Sequence, residues 1–84
     1  MNSIDLKEEV RRALASEWPA FAANHPRLAN ALDETILVEP AMRSLADDPE
    51  YVEAMATASA VGAGAEVVAD IAGRFVRLWL RQLV

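Results

Sequence analysis

The segment from Glu66 to Val84 carries all of its charge on one narrow stripe, and that restriction limits how the rest of the chain can fold around it. On a wheel of about 100° per residue, Glu66, Asp70, Arg74, Arg77 and Arg81 fall within an arc of roughly 80°. Acids precede bases, as the helix dipole prefers, and Asp70 stands four residues before Arg74 in the favourable order. The stripe therefore reads as a solvated face.

The remaining circumference divides in two. Val68, Ile71, Phe75, Leu78 and Trp79 form a bulky side. Ala65, Ala69, Ala72, Val76, Leu80 and Leu83 form an adjoining side, small at its start and leucine-rich at its end; an upstream continuation of the helix adds Ala54, Ala58 and Gly62 to it. A helix that is apolar over most of its circumference is covered on most sides, so this one requires two packing partners. The bulky side suits the chain's own core, whereas small residues let a second helix approach closely. Ala58, Gly62, Ala65, Ala69, Ala72, Val76, Leu80 and Leu83 are accordingly the candidate interface with a second chain. The alternative is that the chain's earlier helices cover both sides.

Where this helix begins decides its reach. Asp48-Pro49-Glu50 combines a favoured cap, a proline at the first helical position and an acid at the positive end of the dipole. From Glu50 to Val84 there is no proline, and the one candidate break is Gly62-Ala63-Gly64. Each glycine costs about 1 kcal/mol in a helix interior, which argues for a turn. Against a turn, nothing from Ala60 to Ala65 is polar and no Ser, Thr, Asp or Asn stands ready to cap a following helix. The balance favours one long or gently kinked helix over about 49–84. At about 1.5 Å per residue it would reach roughly 54 Å, overhanging a domain whose radius of gyration should be near 12 Å.

Upstream, Asp5 and Glu8 have capping-box spacing, and Leu6, Val10, Leu14 and Trp18 recur every fourth residue, predicting a first helix over about 5–17. Pro19 should force Trp18 toward extended geometry and place Phe21 beyond a kink. Pro26 opens another helix, with Leu28, Ala31, Leu32, Thr35 and Ile36 as its buried stripe, and Pro40 interrupts it before a short segment containing Met42, Leu45 and Ala46. The expected fold is all-α, a small bundle of about three to five helices forming one domain over 1–84.

Composition narrows the function. The chain has no cysteine and one histidine, which leaves no disulfide, no thiolate zinc site and no histidine cluster; no cofactor is expected. At 84 residues stability is thin without a staple, and oligomerisation is the one remaining. The net charge of -5 opposes a nucleic-acid partner. That charge is lopsided: residues 1–53 hold eleven acids and five bases, residues 54–84 two acids and three bases. The start, Met1-Asn2-Ser3-Ile4-Asp5-Leu6-Lys7, lacks the basic and apolar regions of a signal peptide, so a cytoplasmic location is expected.

Individual residues add little chemistry. His25 has no second histidine or Glu-x-x-His partner and reads as a helix-boundary residue. Asp47, Asp48, Glu50 and Glu53 lack the alternating ligands and central glycine of a calcium loop. Arg74, Arg77 and Arg81, with Arg11 and Arg12, have no glycine-rich phosphate cradle. Tyr51, Thr57 and Ser59 have no general base nearby. The reading is a non-catalytic interaction or assembly module that homo-oligomerises, most simply as a dimer, through its C-terminal helix. Its alternatives are a monomeric acidic inhibitor, adaptor or mobile-element accessory protein that docks the apolar helix on another protein, and a membrane-surface amphipathic anchor, which Glu66 and Asp70 disfavour.

Overall fold

Asp5 opens the first helix, α1 (Leu6–Asn24), by accepting the Glu8 backbone N–H at 3.1 Å. The computed structural model describes residues 4–84, and within them α1 is followed by α2 (Pro26–Ala31), α3 (Glu34–Ala46), α4 (Pro49–Ala60) and α5 (Ala65–Arg81). All five are helices, as the composition predicts. Of the N-terminal stretch read for a signal peptide, Met1, Asn2 and Ser3 lie outside the described residues.

The expected stripe on α1 is its buried face. Val10 and Leu14 are fully enclosed, Ala13 and Phe21 join them, and Leu6 and Trp18 pack against the same core. α1 is the central helix, with α3 on one side and α5 on the other. It runs in the same direction as α5: Glu9 and Arg12 lie beside Ala65 and Ala69, while Asn24 and His25 lie beside Leu80 and Arg81.

Two prolines do not break helices where the sequence suggests they should. Pro19 lies inside α1, so Trp18 is helical rather than extended, and Pro40 lies inside α3. In each case the proline and the residue four before it, Ala15 and Ile36, are exposed. The carbonyl that loses its amide partner is therefore on the solvent side, where water satisfies it. Burial of Phe21 beyond Pro19, and of Ala41 and Leu45 beyond Pro40, holds each helix together past its missing bond.

The helix expected from Pro26 is instead two. α2 ends after one and a half turns, Leu32 is extended, and Asp33 restarts the chain as α3 by accepting the Thr35 N–H at 3.3 Å. This restart rotates the buried stripe to Leu37, Ala41 and Leu45, with Val38 and Met42 half-buried. Ala31, Thr35 and Ile36, expected inside, are exposed. By contrast, α4 begins where Asp48-Pro49-Glu50 predicts, the Asp48 carboxylate accepting the Glu50 N–H at 2.9 Å.

The long C-terminal helix is also two. α4 closes on a backbone-only cap: Ala63 N–H donates to Ala58 O at 2.9 Å, Gly62 N–H to Ser59 O at 3.1 Å, and Gly62 adopts φ +69°. That pairing terminates a helix without any polar side chain. The lack of polar residues between Ala60 and Ala65 is thus no obstacle to a turn, and Ala63 is half-buried against the core. α5 then starts from Gly64, which is extended and offers no side-chain cap. The 54 Å rod does not form; the molecule measures 42 × 22 × 17 Å.

Tyr51 ties the second half of the chain to the first. Its side chain is fully buried, its hydroxyl donates to Leu6 O at 2.8 Å, and its ring meets Phe75 edge-on with centroids 5.4 Å apart. Burial first, and the nearby Glu9 and Asp5 carboxylates second, push the phenol up to about 12.

Two predictions follow from these contacts. A Cβ at Gly62 or Gly64 meets open space, so substitutions there are free of steric clash. Gly62→Ala should cost about 1–2 kcal/mol for its left-handed φ. Gly64→Ser should stabilise by about 0.5–1 kcal/mol, by capping α5 and stiffening the unfolded chain. Urea denaturation should give these opposite signs. Tyr51 is the only tyrosine, so phenolate absorbance reads it alone. It should ionise near 12 in the folded protein and near 10 in denaturant. Because the folded value is the higher one, the stabilisation is complete below pH 10 and is lost as pH rises toward 12, and Tyr51→Phe should flatten stability across that window.

Candidate functional site

α5 presents three surfaces once it is packed. Val68, Ala72, Val76 and Leu80, one turn apart, are buried, and Ile71, Phe75 and Trp79 pack against the core beside them. The helix thus turns the seam between its bulky and small sides toward the interior, against α1 and α4. Of the candidate interface, Ala58, Ala72, Val76 and Leu80 belong to the chain's own core. Leu83 is half-buried, and Gly62, Ala65 and Ala69 are exposed. The apolar face that a membrane-surface helix would insert is the one α5 turns inward, and no described helix is long and apolar enough to cross a membrane.

The second surface is a groove of about 530 Å³ between α1 and α5. Its floor is small, built from Ala13 and Ser16 on one wall and Ala65, Ala69 and Gly73 on the other. Charges stand along the rim: Glu9, Arg12 and Glu17 from α1, Glu66, Asp70 and Arg77 from α5. One ion pair crosses it, Arg77 Nη1 to Glu17 Oε2 at 2.9 Å. The α1 wall is the part that the sequence reading overlooks, although Ala13, Ser16 and Ala20 form a small stripe at helical spacing. Gly73 is likewise missing from that reading. It is buried under the Glu17–Arg77 pair, where a Cβ would sit 3.5 Å from each partner, an ordinary contact.

Among the described residues the ion pairs are Glu8–Arg11, Glu8–Arg12, Glu9–Arg12 and Glu17–Arg77. Arg11 and Arg12 therefore serve α1 and do not join the arginines of α5. The Arg11 hydrogen bond, helped by the Arg11 and Arg12 charges, holds Glu8 down to about 2. On α5, Glu66, Asp70, Arg74 and Arg81 enter no pair, even though Asp70 and Arg74 stand at favourable spacing.

The third surface is a cleft of about 160 Å³ where the α3–α4 turn meets α5, floored by Leu45, Phe75, Leu78 and Trp79 with Asp48 and Glu50 on its edge. Leu78 is 49% exposed and Val67, along the same side of α5, 51%. Part of the bulky side expected in the core is therefore open.

The residues weighed for catalysis or metal binding are dispersed. His25 joins α1 to α2 and stacks on Phe21, centroids 5.0 Å apart, at the edge of a pocket of about 170 Å³ with Arg77 and Arg81. Asp48 is engaged as a cap, Tyr51 is buried as a strut, and Thr57 and Ser59 lie exposed on α4. Among the described residues no three His, Cys, Asp or Glu side chains gather where an ion would sit. No family model, curated protein or solved structure matches this chain.

Proposed function

We propose that the chain is a non-catalytic helical assembly module that self-associates through α5. The observation that supports this reading is the α1–α5 groove, which leaves Ala65, Ala69 and the wall of Ala13 and Ser16 unfilled between two helices that already touch. Two packed helices with small residues along their seam offer a third helix close backbone approach. The chain also exposes 5568 Å², against about 4,900 Å² expected for a folded monomer of 9.1 kDa, and so retains surface that association can cover. The interface is narrower than the small side of the wheel: Ala65 and Ala69 contribute, while Ala58, Ala72, Val76 and Leu80 act by holding α5 in place.

A second reading has its own observation. The Phe75, Leu78 and Trp79 cleft with its acidic edge suits an apolar segment carrying basic residues from a different protein, with this chain remaining monomeric.

Light scattering separates the two. Self-association predicts a mass at least twice 9.1 kDa at micromolar concentration, weakened tenfold or more by Ala69→Leu, with the helical circular dichroism unchanged because Ala69 is exposed. Ala69 is the cleaner site, since Gly62→Leu would strain the α4–α5 turn itself. A strictly monomeric mass at high micromolar concentration would remove the assembly reading and leave the second.

A further inference from the structure

The charged stripe on α5, of which only Arg77 is paired within the chain, specifies how two copies would meet. Glu66 and Asp70 occupy its first half, Arg74, Arg77 and Arg81 its second, all on one face. Glu66 is as far before the midpoint between Gly73 and Arg74 as Arg81 is after it, and Asp70 and Arg77 are likewise symmetric about that point. A two-fold axis there, perpendicular to the helix, places Glu66 opposite the partner's Arg81 and Asp70 opposite the partner's Arg77, with the partner's Arg74 about one turn away. A parallel pairing instead sets acid on acid and base on base. The groove points the same way: its Ala65 end is rimmed by Glu9, Glu66 and Asp70, and Arg12 there is already held by Glu8 and Glu9. The cation at that end is thus engaged within α1, and the last turns of a second α5 carry others.

We infer that the partner is a second copy of this chain, with each α5 lying antiparallel over the other's α1–α5 groove about an axis near Gly73. The inference rests on the self-association proposed above and adds its geometry. The axis makes the contact isologous, so a single pairing closes as a dimer and does not propagate. Complementary charge sets orientation and partner choice, while the small floor admits the helix. The same order of charges also compensates the α5 dipole, and this explains why acids lead without explaining why four of the five charges stay unpaired.

Charge exchange within one chain tests the orientation. Glu66→Lys with Asp70→Lys should weaken association at least tenfold, because both halves of the helix then repel the partner's. Adding Arg74→Glu and Arg81→Glu to the same chain gives the lysine at position 66 an acid opposite and the lysine at position 70 an acid beside the partner's Arg77, and should recover most of the dimer. Sedimentation at two salt concentrations reads both, with wild type weakening as salt rises.

Cross-linking supplies a measure independent of charge, since the chain has no cysteine of its own. With a short bifunctional maleimide, Arg74→Cys should link to itself. Glu66→Cys and Arg81→Cys should each fail alone and link when mixed. A wild-type dimer that tolerates the double lysine variant, or in which Glu66→Cys links to itself, overturns the antiparallel arrangement while leaving self-association intact. A wild-type monomer overturns both.

Discussion

The fold depends on α1 being covered from two sides at once. Val10 and Leu14 are fully enclosed because α3 and α5 flank the helix that carries them, and these are its most extensive contacts. Neither flanking helix could bury its own stripe without α1. Leu37, Ala41 and Leu45 need one side of it; Val68, Ala72, Val76 and Leu80 need the other. α4 reaches this assembly through Tyr51, whose hydroxyl closes on the first turn of α1 and whose ring meets Phe75 on α5. One aromatic side chain thus links the first, fourth and fifth helices, and it is the largest fully buried side chain.

Local chemistry is readable at Asp5 and Asp48, where a side chain acts on its own backbone. Asp5 and Asp48 cap the helices that their spacing announces, since a carboxylate two or three residues ahead of a free amide needs no tertiary context. Pro19 and Pro40 mislead for the opposite reason. Whether a proline ends a helix depends on where the orphaned carbonyl points, and that depends on which face is buried. Asp33 had the same capping chemistry as Asp48, but an apparent apolar period running through it from Leu28 to Ile36 concealed it. The true period starts afresh at the cap.

The Gly62 turn shows a different limit. Polarity is an indirect sign of a turn, since it reports that most turns face water. The cap after α4 is made of backbone hydrogen bonds and one positive φ, so apolar residues can occupy it provided one of them is glycine. The two glycines are not redundant: Gly62 supplies the left-handed conformation, while Gly64 is extended and any residue could stand there. The turn folds α5 back along the bundle and supplies the parallel neighbour that α1 requires.

That parallel placement also explains why the candidate surface was only half legible. A helical wheel describes one helix and divides it by side-chain size, whereas burial is decided by the neighbour's direction of approach. α1 approaches along the seam between the two sides, enclosing Ala72, Val76 and Leu80 on the later turns and leaving two margins open. Ala65 and Ala69, on the first turns of the small side, form one of them, and Val67 and Leu78, at the outer edge of the bulky side, the other. The wheel thus identified an apolar excess that the structure retains, and misassigned which residues form it. The margins differ in what surrounds them. The Leu78 margin is edged by acids from other helices, whereas the Ala69 margin adjoins the charged stripe of α5 itself, whose acids and bases are separated along its length. Only the second carries both charges of a complementary pair on the same helix, and that is what lets one surface recognise its own copy.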